Sequence, residues 1–500
     1  MKRFLFAFLS PWIALQATAT SITSETLTQR CIDSIQQKNY RDAIALCKQA
    51  LQLNQAWGRF NPVTAWSNQA IALTYLGDYP TVRAVCNPVS VACINRARSQ
   101  NYTAALDAYN HAIAINPKDA TLWTNHGLVL AKLNRFEEAL TSYDWALKLN
   151  PEDSLTLVGR CAALNKIGRS SDALTVCDQA LIGNGRWGES SAAEAWNQRA
   201  VAIASQSPEP SKLDEALSSI DRGLVLKPQD PNLWSNRGAI LWRAKRYSDA
   251  LIAFDRSLAI QPESAQTWFN KGTVLKTLGR YREALSAFDR AITGEISLNQ
   301  DAAWLDLWTN RSVVLWKLDR YSEALEAAQR ATTLAPKSVR AWYNQGLAFS
   351  ALKRHREANE AYTKATELDP DNVTLLQLQA QTLQALGRQQ EALNVVDRIL
   401  ALNPTAIETW YQKGLLLKSL QRDDEALTAF TQTLKLDSRH INALIEQGNL
   451  LRKMNRLEDA SIAFESVLKI DATNKTAQAA RTKLRQQLAQ QKKEAQQSAN

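Results

Sequence analysis

Residues 267–292 read TWFNKGTVLKTLGRYREALSAFDRAI, and closely similar segments recur along the chain. Trp234 and Trp268 are 34 residues apart, as are Trp308 and Trp342, while Trp410 follows Trp342 by 68 with Leu376 at the midpoint. The repeating unit is therefore 34 residues long. Four residues after the leading Trp or Leu comes a small residue (Gly127, Gly238, Gly272, Ser312, Gly346, Gly414, Gly448). Seven after it comes an apolar one (Leu130, Leu241, Leu275, Leu315, Leu417). Offsets of zero, four and seven lie on one face of an α-helix. A turn follows, as in Leu278-Gly279-Arg280-Tyr281, and a second helical pattern carries Ala139, Tyr143 and Ala146, or Ala284, Phe288 and Ala291.

Pro closes many units, at Pro117, Pro151, Pro228, Pro262, Pro336, Pro370 and Pro404, because its ring cannot continue a helix and pre-sets the start of the next. Each unit thus reads as a helical hairpin. The small residue lets two backbones approach where the helices cross, and the large Trp and Phe fill the flanks of a buried face. A lone hairpin leaves apolar surface on both sides, so neighbours stack and the stack grows as a superhelical solenoid.

This signature resembles the tetratricopeptide repeat family. It is most complete over residues 233–262 and 267–292 and is recognisable over about nine tenths of the chain beyond residue 19. The resemblance implies an all-α fold, an α-α superhelix of about thirteen helical hairpins. Units are expected to open near Leu27, Trp66, Val89, Trp123, Leu157, Trp196, Trp234, Trp268, Trp308, Trp342, Leu376, Trp410 and Leu444, filling residues 20–473. Insertions fall near residues 54–64, 183–194, 205–211 and 294–303, and the second unit is cut short at Asn87-Pro88. Residues 474–500, rich in Lys, Gln and Ala, read as a polar capping helix and tail.

The first residues place Lys2 and Arg3 before an apolar run from Phe4 to Leu15, followed by Ala17-Thr18-Ala19. That is the layout of a secretory signal peptide over residues 1–19, the alternative being an uncleaved anchor, and it predicts an exported protein, periplasmic, luminal or extracellular. No other stretch reaches membrane-spanning length. Cysteine usage points the same way. Cys31 and Cys47 are 16 apart, as are Cys161 and Cys177, each pair occupying the crossing position of a first helix and the aromatic position of a second. Those positions face each other in an antiparallel hairpin, so a disulfide replaces the small-against-large pair. Cys86 and Cys93 form the remaining expected pair; the competing reading is that each Cys is a small buried residue.

Net charge is +10, but Lys and Arg alternate with nearly as many Asp and Glu, so no nucleic-acid partner is expected. The histidines, His111, His126, His355 and His440, lie in different units, and no nucleophile, phosphate-cradling or metal motif occurs. The chain reads as non-catalytic, with no cofactor and no metal.

What remains is the flank of the first helix beside its buried face, one, five and eight residues after the leading position. In the family this flank lines the concave groove. Here it carries Phe269, Tyr343 and Tyr411, then Trp242 and Trp316, with the cations Lys276, Lys418 and Arg452, and Arg243 and Lys317 one residue further on. Aromatic platforms with cations suit an extended peptide of a partner protein. A glycan stacking on the same rings is the alternative, as is a regulatory or assembly role in an exported enzyme complex. The Lys that family members use to clamp a terminal carboxylate is missing directly after every leading Trp. The Asn two after it recurs (Asn68, Asn125, Asn236, Asn270, Asn310, Asn344) and is expected to bond a neighbouring unit or bound backbone.

Overall fold

The computed structural model describes residues 22–78, 91–188, 191–293 and 301–498. Every regular element among them is a helix, and the chain divides into two compact units, Met1–Thr267 and Trp268–Asn500. The first unit contains α1 (Ser24–Gln36), α2 (Tyr40–Leu53), α3 (Pro62–Gly77), α4 (Val91–Ile115), α5 (Ala120–Lys132), α6 (Phe136–Leu149), α7 (Ser154–Lys166) and α8 (Ser170–Ile182). It continues with α9 (Ala192–Gln206), α10 (Pro210–Leu226), α11 (Pro231–Arg243), α12 (Tyr247–Ile260) and the first turn of α13 (Ala265–Thr277). The second unit holds the rest of α13, then α14 (Tyr281–Thr293), α15 (Asp301–Lys317), α16 (Tyr321–Leu334), α17 (Val339–Ala351), α18 (His355–Leu368) and α19 (Val373–Ala385). It ends with α20 (Gln389–Leu402), α21 (Ile407–Ser419), α22 (Asp423–Leu436), α23 (Ile441–Lys453), α24 (Leu457–Ile470) and α25 (Lys475–Ser498). Consecutive helices pack as hairpins and successive hairpins stack.

The crossing rule of the sequence is visible atom by atom. A Cβ added to Gly272 would sit 2.6 Å from Phe288 Cε1, one at Gly238 2.6 Å from Phe254 Cε1, and one at Gly127 2.6 Å from Tyr143 Cε1. Each of those rings is fully buried. Where Cys replaces both partners, Cys31 with Cys47 and Cys161 with Cys177, the Cα atoms are 5.5 Å apart and the sulfurs are at bonding distance. The side chains of Cys86 and Cys93 lie outside the described residues.

Within a hairpin the two helices are joined by a three-residue link whose middle residue is left-handed: Gly168, Gly279 and Gly387, but also Asn134, Lys245, Asp319, Lys353, Gln421 and Asn455. The next residue, an Arg, donates its N–H back to the first helix, as from Arg246 to the Leu241 carbonyl at 2.9 Å, closing a Schellman turn. That same Arg is the N-cap of the second helix and pairs with an acid three on, as in Arg280–Glu283 and Arg320–Glu323. Between hairpins, a cation on a first helix reaches an Asp on the preceding second helix: Arg160–Asp144, Arg237–Asp221, Arg311–Asp289 and Lys413–Asp397, all at 2.8 to 3.0 Å.

Two expectations change. The leading Trp packs against the core, as Trp66, Trp123 and Trp410 do, but is not enclosed in it. It is half-buried in the first turn of its helix, at the rim, and its indole N–H donates to the Pro carbonyl six residues earlier in Trp123, Trp234, Trp342 and Trp410. The residue before it is buried instead, as in Leu122, Leu233 and Leu307. Second, the unit expected to open near Val89 is not a hairpin of its own, because α4 runs unbroken over 25 residues and packs against α3. Its later half supplies the second-helix signature, Ala105, Tyr109 and Ala112, all buried; the break at Asn87-Pro88 lies outside the described residues. The insertions near 54–64 and 183–194 are tied back to the first helix of the preceding hairpin. The Ser24 N–H donates to the Gln55 carbonyl and Leu155 N–H to that of Arg186. The link near 205–211 spans only residues 207–209 between α9 and α10. Of 294–303, residues 294–300 lie outside the described residues and the rest begin α15. At the other end α25 buries Ala477 and Leu484 against Leu451, Leu457 and Phe464.

Candidate partner-binding surface

In the first unit the expected flank is represented by Trp242, 39% exposed at the end of α11, and the exposed Arg243. The remaining candidates belong to the second unit, and the structure divides them into two kinds.

Phe269 and Tyr411 are half-buried and lean on the core, with ring centroids 6.1 Å from Phe288 and 5.9 Å from Phe430. Tyr411 also touches His440, at 5.0 Å. Burial pushes its hydroxyl pKa up, and the charges of Glu446 and Glu408 add to the effect. These two rings serve packing as much as presentation. Trp316 and Tyr343 are part-buried and make no such ring stack on a core aromatic among the described residues, although Tyr343 lies near enough to the buried Tyr362 to add to the rise that burial gives its hydroxyl pKa. The Trp316 ring meets Tyr321 at 6.4 Å and carries the Lys317 ammonium at 5.2 Å, while its buried indole N–H has no acceptor among the described residues.

The cations are answered by neighbours the offset rule did not include. Lys276 Nζ donates to Asn310 Oδ1 at 2.7 Å. Burial holds its pKa below the usual lysine range and Arg340 lowers it further, against the pull of Asp306. Asp306 and Arg340 are ion-paired to each other, and Lys418 is paired with Glu446. Arg452 has no ion-pair partner among the described residues. The flank is thus mixed in charge rather than basic. Asp306, Arg340 and Glu408 stand two residues before their leading Trp, and Asn310 and Glu446 two after the leading Trp or Leu. On the helical wheel those positions adjoin the predicted flank, so extending the offsets by one step would have found them. The recurring Asn is mostly structural: Asn344 Nδ2 donates to the Thr309 carbonyl at 3.2 Å and Asn236 Nδ2 to Asn197 Oδ1 at 2.7 Å.

Sequence reading missed the outer rim. The leading Trp rings lie under cations: Trp196 under Arg199 and Arg222, Trp268 under Lys271 and Arg290, Trp308 under Arg311 and Arg330, each 4.8 to 5.8 Å from the centroid. Among the described residues, no group of three or more His, Cys, Asp or Glu is placed to hold a metal ion, and no helix is long and apolar enough to cross a membrane.

Tetratricopeptide repeat models match residues 124–189, 229–294, 310–373, 361–394, 407–440 and 441–474, more than half the chain. The chain belongs to the tetratricopeptide repeat family. Among solved structures, a tetratricopeptide repeat protein from Parabacteroides merdae ATCC 43184 is 19% identical, covering 57% of this chain and 97% of its own at a TM-score of 0.42. The Cut9–Hcn1 hetero-tetramer of APC/C is 16% identical, over 93% and 97%, at 0.39. YrrB, a tetratricopeptide repeat protein described as having an unusual peptide-binding site, is 21% identical, over 39% and 98%, at 0.36. No curated protein matches the chain.

Proposed function

We propose that this tetratricopeptide repeat protein is a non-catalytic, exported scaffold that holds an extended segment of a partner protein along the first-helix flank. The observation that carries the reading is that α15 and α17 carry the part-exposed rings Trp316 and Tyr343 together with the polar groups Asp306, Asn310 and Arg340, to which Lys276 of α13 is bonded through Asn310. Large rings left part-exposed on the same helices as donors and acceptors of both signs suit a peptide, which offers apolar side chains and backbone amides together. Export is supported by the leader-like first 19 residues and by two cysteine pairs at bonding distance, since disulfides persist in oxidising compartments.

The test is affinity capture from the exported fraction with the wild-type chain and with a Trp316→Ala, Tyr343→Ala variant, each checked by thermal melting. A protein retained by the first and released by the second, at equal melting temperature, supports the reading, with a loss of about 1 to 3 kcal/mol per residue in binding. Equal capture by both, or retention only on polysaccharide, overturns it.

A further inference from the structure

The outer rim carries a second kind of surface, separate from the first-helix flank. At the leading Trp, two cations approach one ring and their situations differ. The cation three residues on is bound to acids: Arg311 to Asp289, and Arg199 to both Asp178 and Glu215. The other, contributed by the second helix of the same hairpin, has no ion-pair partner among the described residues in Arg222, Arg290 or Arg330. Glu326 stands one turn before Arg330 on α16 and lines the same space, yet the Arg330 guanidinium lies 5.0 Å from the Trp308 centroid and makes no bond to it. A guanidinium held over a ring keeps its in-plane N–H donors for a carboxylate.

Two of these stacks border open space. A cavity of about 500 Å³ beside Trp308 is lined by Arg330, Glu326, Gln329, Thr333 and Leu334. One of about 590 Å³ beside Trp196 includes Arg222, Leu181 and Ile182. Leu334 and Ile182, the last residues of their helices, are 40% and 84% exposed. An uncommitted guanidinium next to an exposed aliphatic side chain therefore recurs in both compact units.

We propose that each rim site by itself binds an acidic, leucine-containing segment of a partner protein, a carboxylate on the arginine of that hairpin, Arg222, Arg290 or Arg330, and, beside Arg222 and Arg330, an aliphatic side chain on the exposed helix-end residue. A carboxylated glycan is disfavoured because sugars bind by stacking on ring faces, and here cations already lie over the rings. Charge favours the same partner at the Trp196 cavity, where the lining acids Asp178 and Glu215 are both paired with Arg199 and leave Arg222 unanswered.

The experiment is fluorescence anisotropy with a fluorescein-labelled peptide repeating Glu-Leu-Glu-Ser, using the full chain at low salt. Wild type should bind it, and a variant with Arg222→Ala, Arg290→Ala and Arg330→Ala should bind about tenfold or more weakly with an unchanged melting temperature. Should the triple variant melt early, Arg330→Ala alone should still weaken binding measurably. The Trp316→Ala, Tyr343→Ala variant should bind like wild type. No binding by wild type, equal binding by the arginine variants, loss in the flank variant instead, or equally tight and equally arginine-dependent binding of alginate would each overturn the proposal. Loss in the flank variant would place the peptide on the flank and so support that reading while overturning this one; the other outcomes leave the flank reading untouched.

Discussion

At the scale of single residues, burial separates aromatics that look alike in sequence. Phe288 is fully enclosed against Gly272, whereas Trp308 is half-exposed under two arginines. Phe288→Ala should therefore cost about 3 to 5 kcal/mol through the cavity it leaves. Trp308→Ala should cost less than that, because part of its surface is already in water and it borders open space rather than a closed core. Denaturant midpoints of the two variants check the order. His126 offers a pH test. Its Nδ1 lies 2.9 Å from Ser142 Oγ and its Nε2 3.1 Å from Asn110 Oδ1. Burial, aided by Arg135 and opposed by Glu138, pushes its pKa down to about 4. A folded pKa below the unfolded value of about 6.5 means that the unfolded chain takes the proton first. Stability from the neutral ring is thus fully present above about pH 6.5 and is lost as pH falls toward 4. Urea midpoints at neutral pH and near pH 5 should show that loss, and a His126→Gln variant should show less of it.

At the scale of the element, the turn inside each hairpin is built on a left-handed residue whatever its identity. Lys353 sits at φ 60°, where Gly279 and Gly387 sit at 73° and 72° in their own turns. A side chain with a Cβ is strained there. Lys353→Gly should stabilise by up to about 1 kcal/mol, the relief of strain exceeding the added freedom of the unfolded chain. The measurement is a melting temperature, and a decrease would mean that the Lys353 side chain holds something in place.

At the scale of the whole molecule, both described disulfides belong to the first compact unit, Met1–Thr267, and none of the six cysteines lies in the second. A loop of about 15 residues closed by a disulfide contributes roughly 3 kcal/mol. In a stack of nearest-neighbour hairpins such a loss stays local. Reduction should accordingly accelerate hydrogen exchange around α1, α2, α7 and α8 and leave α17 to α24 protected as before. Equal acceleration throughout would show that the solenoid unfolds as one cooperative body.

The repeat length, the helical hairpin, the crossing glycines and the two cysteine pairs Cys31–Cys47 and Cys161–Cys177 were legible in the chain itself, because each is a local rule repeated until chance cannot imitate it. A small residue at Gly272 and a large one at Phe288, or a Cys at both positions as in Cys161 and Cys177, can be paired by counting. Counting could not place the leading Trp at the rim, since its offset is that of a buried residue and only its position in the first turn, over the Pro carbonyl, lifts it toward solvent. Nor could it merge residues 91–115 into one helix packed on α3, where the period lapses. Which cations are free was also a tertiary matter. Lys418 meets Glu446 from another hairpin and Lys276 meets Asn310, while Arg330 rests on a ring of its own hairpin with its donors unclaimed. Charge is written in the sequence, but whether it is already neutralised depends on distances between hairpins, and those are set by how the stack packs.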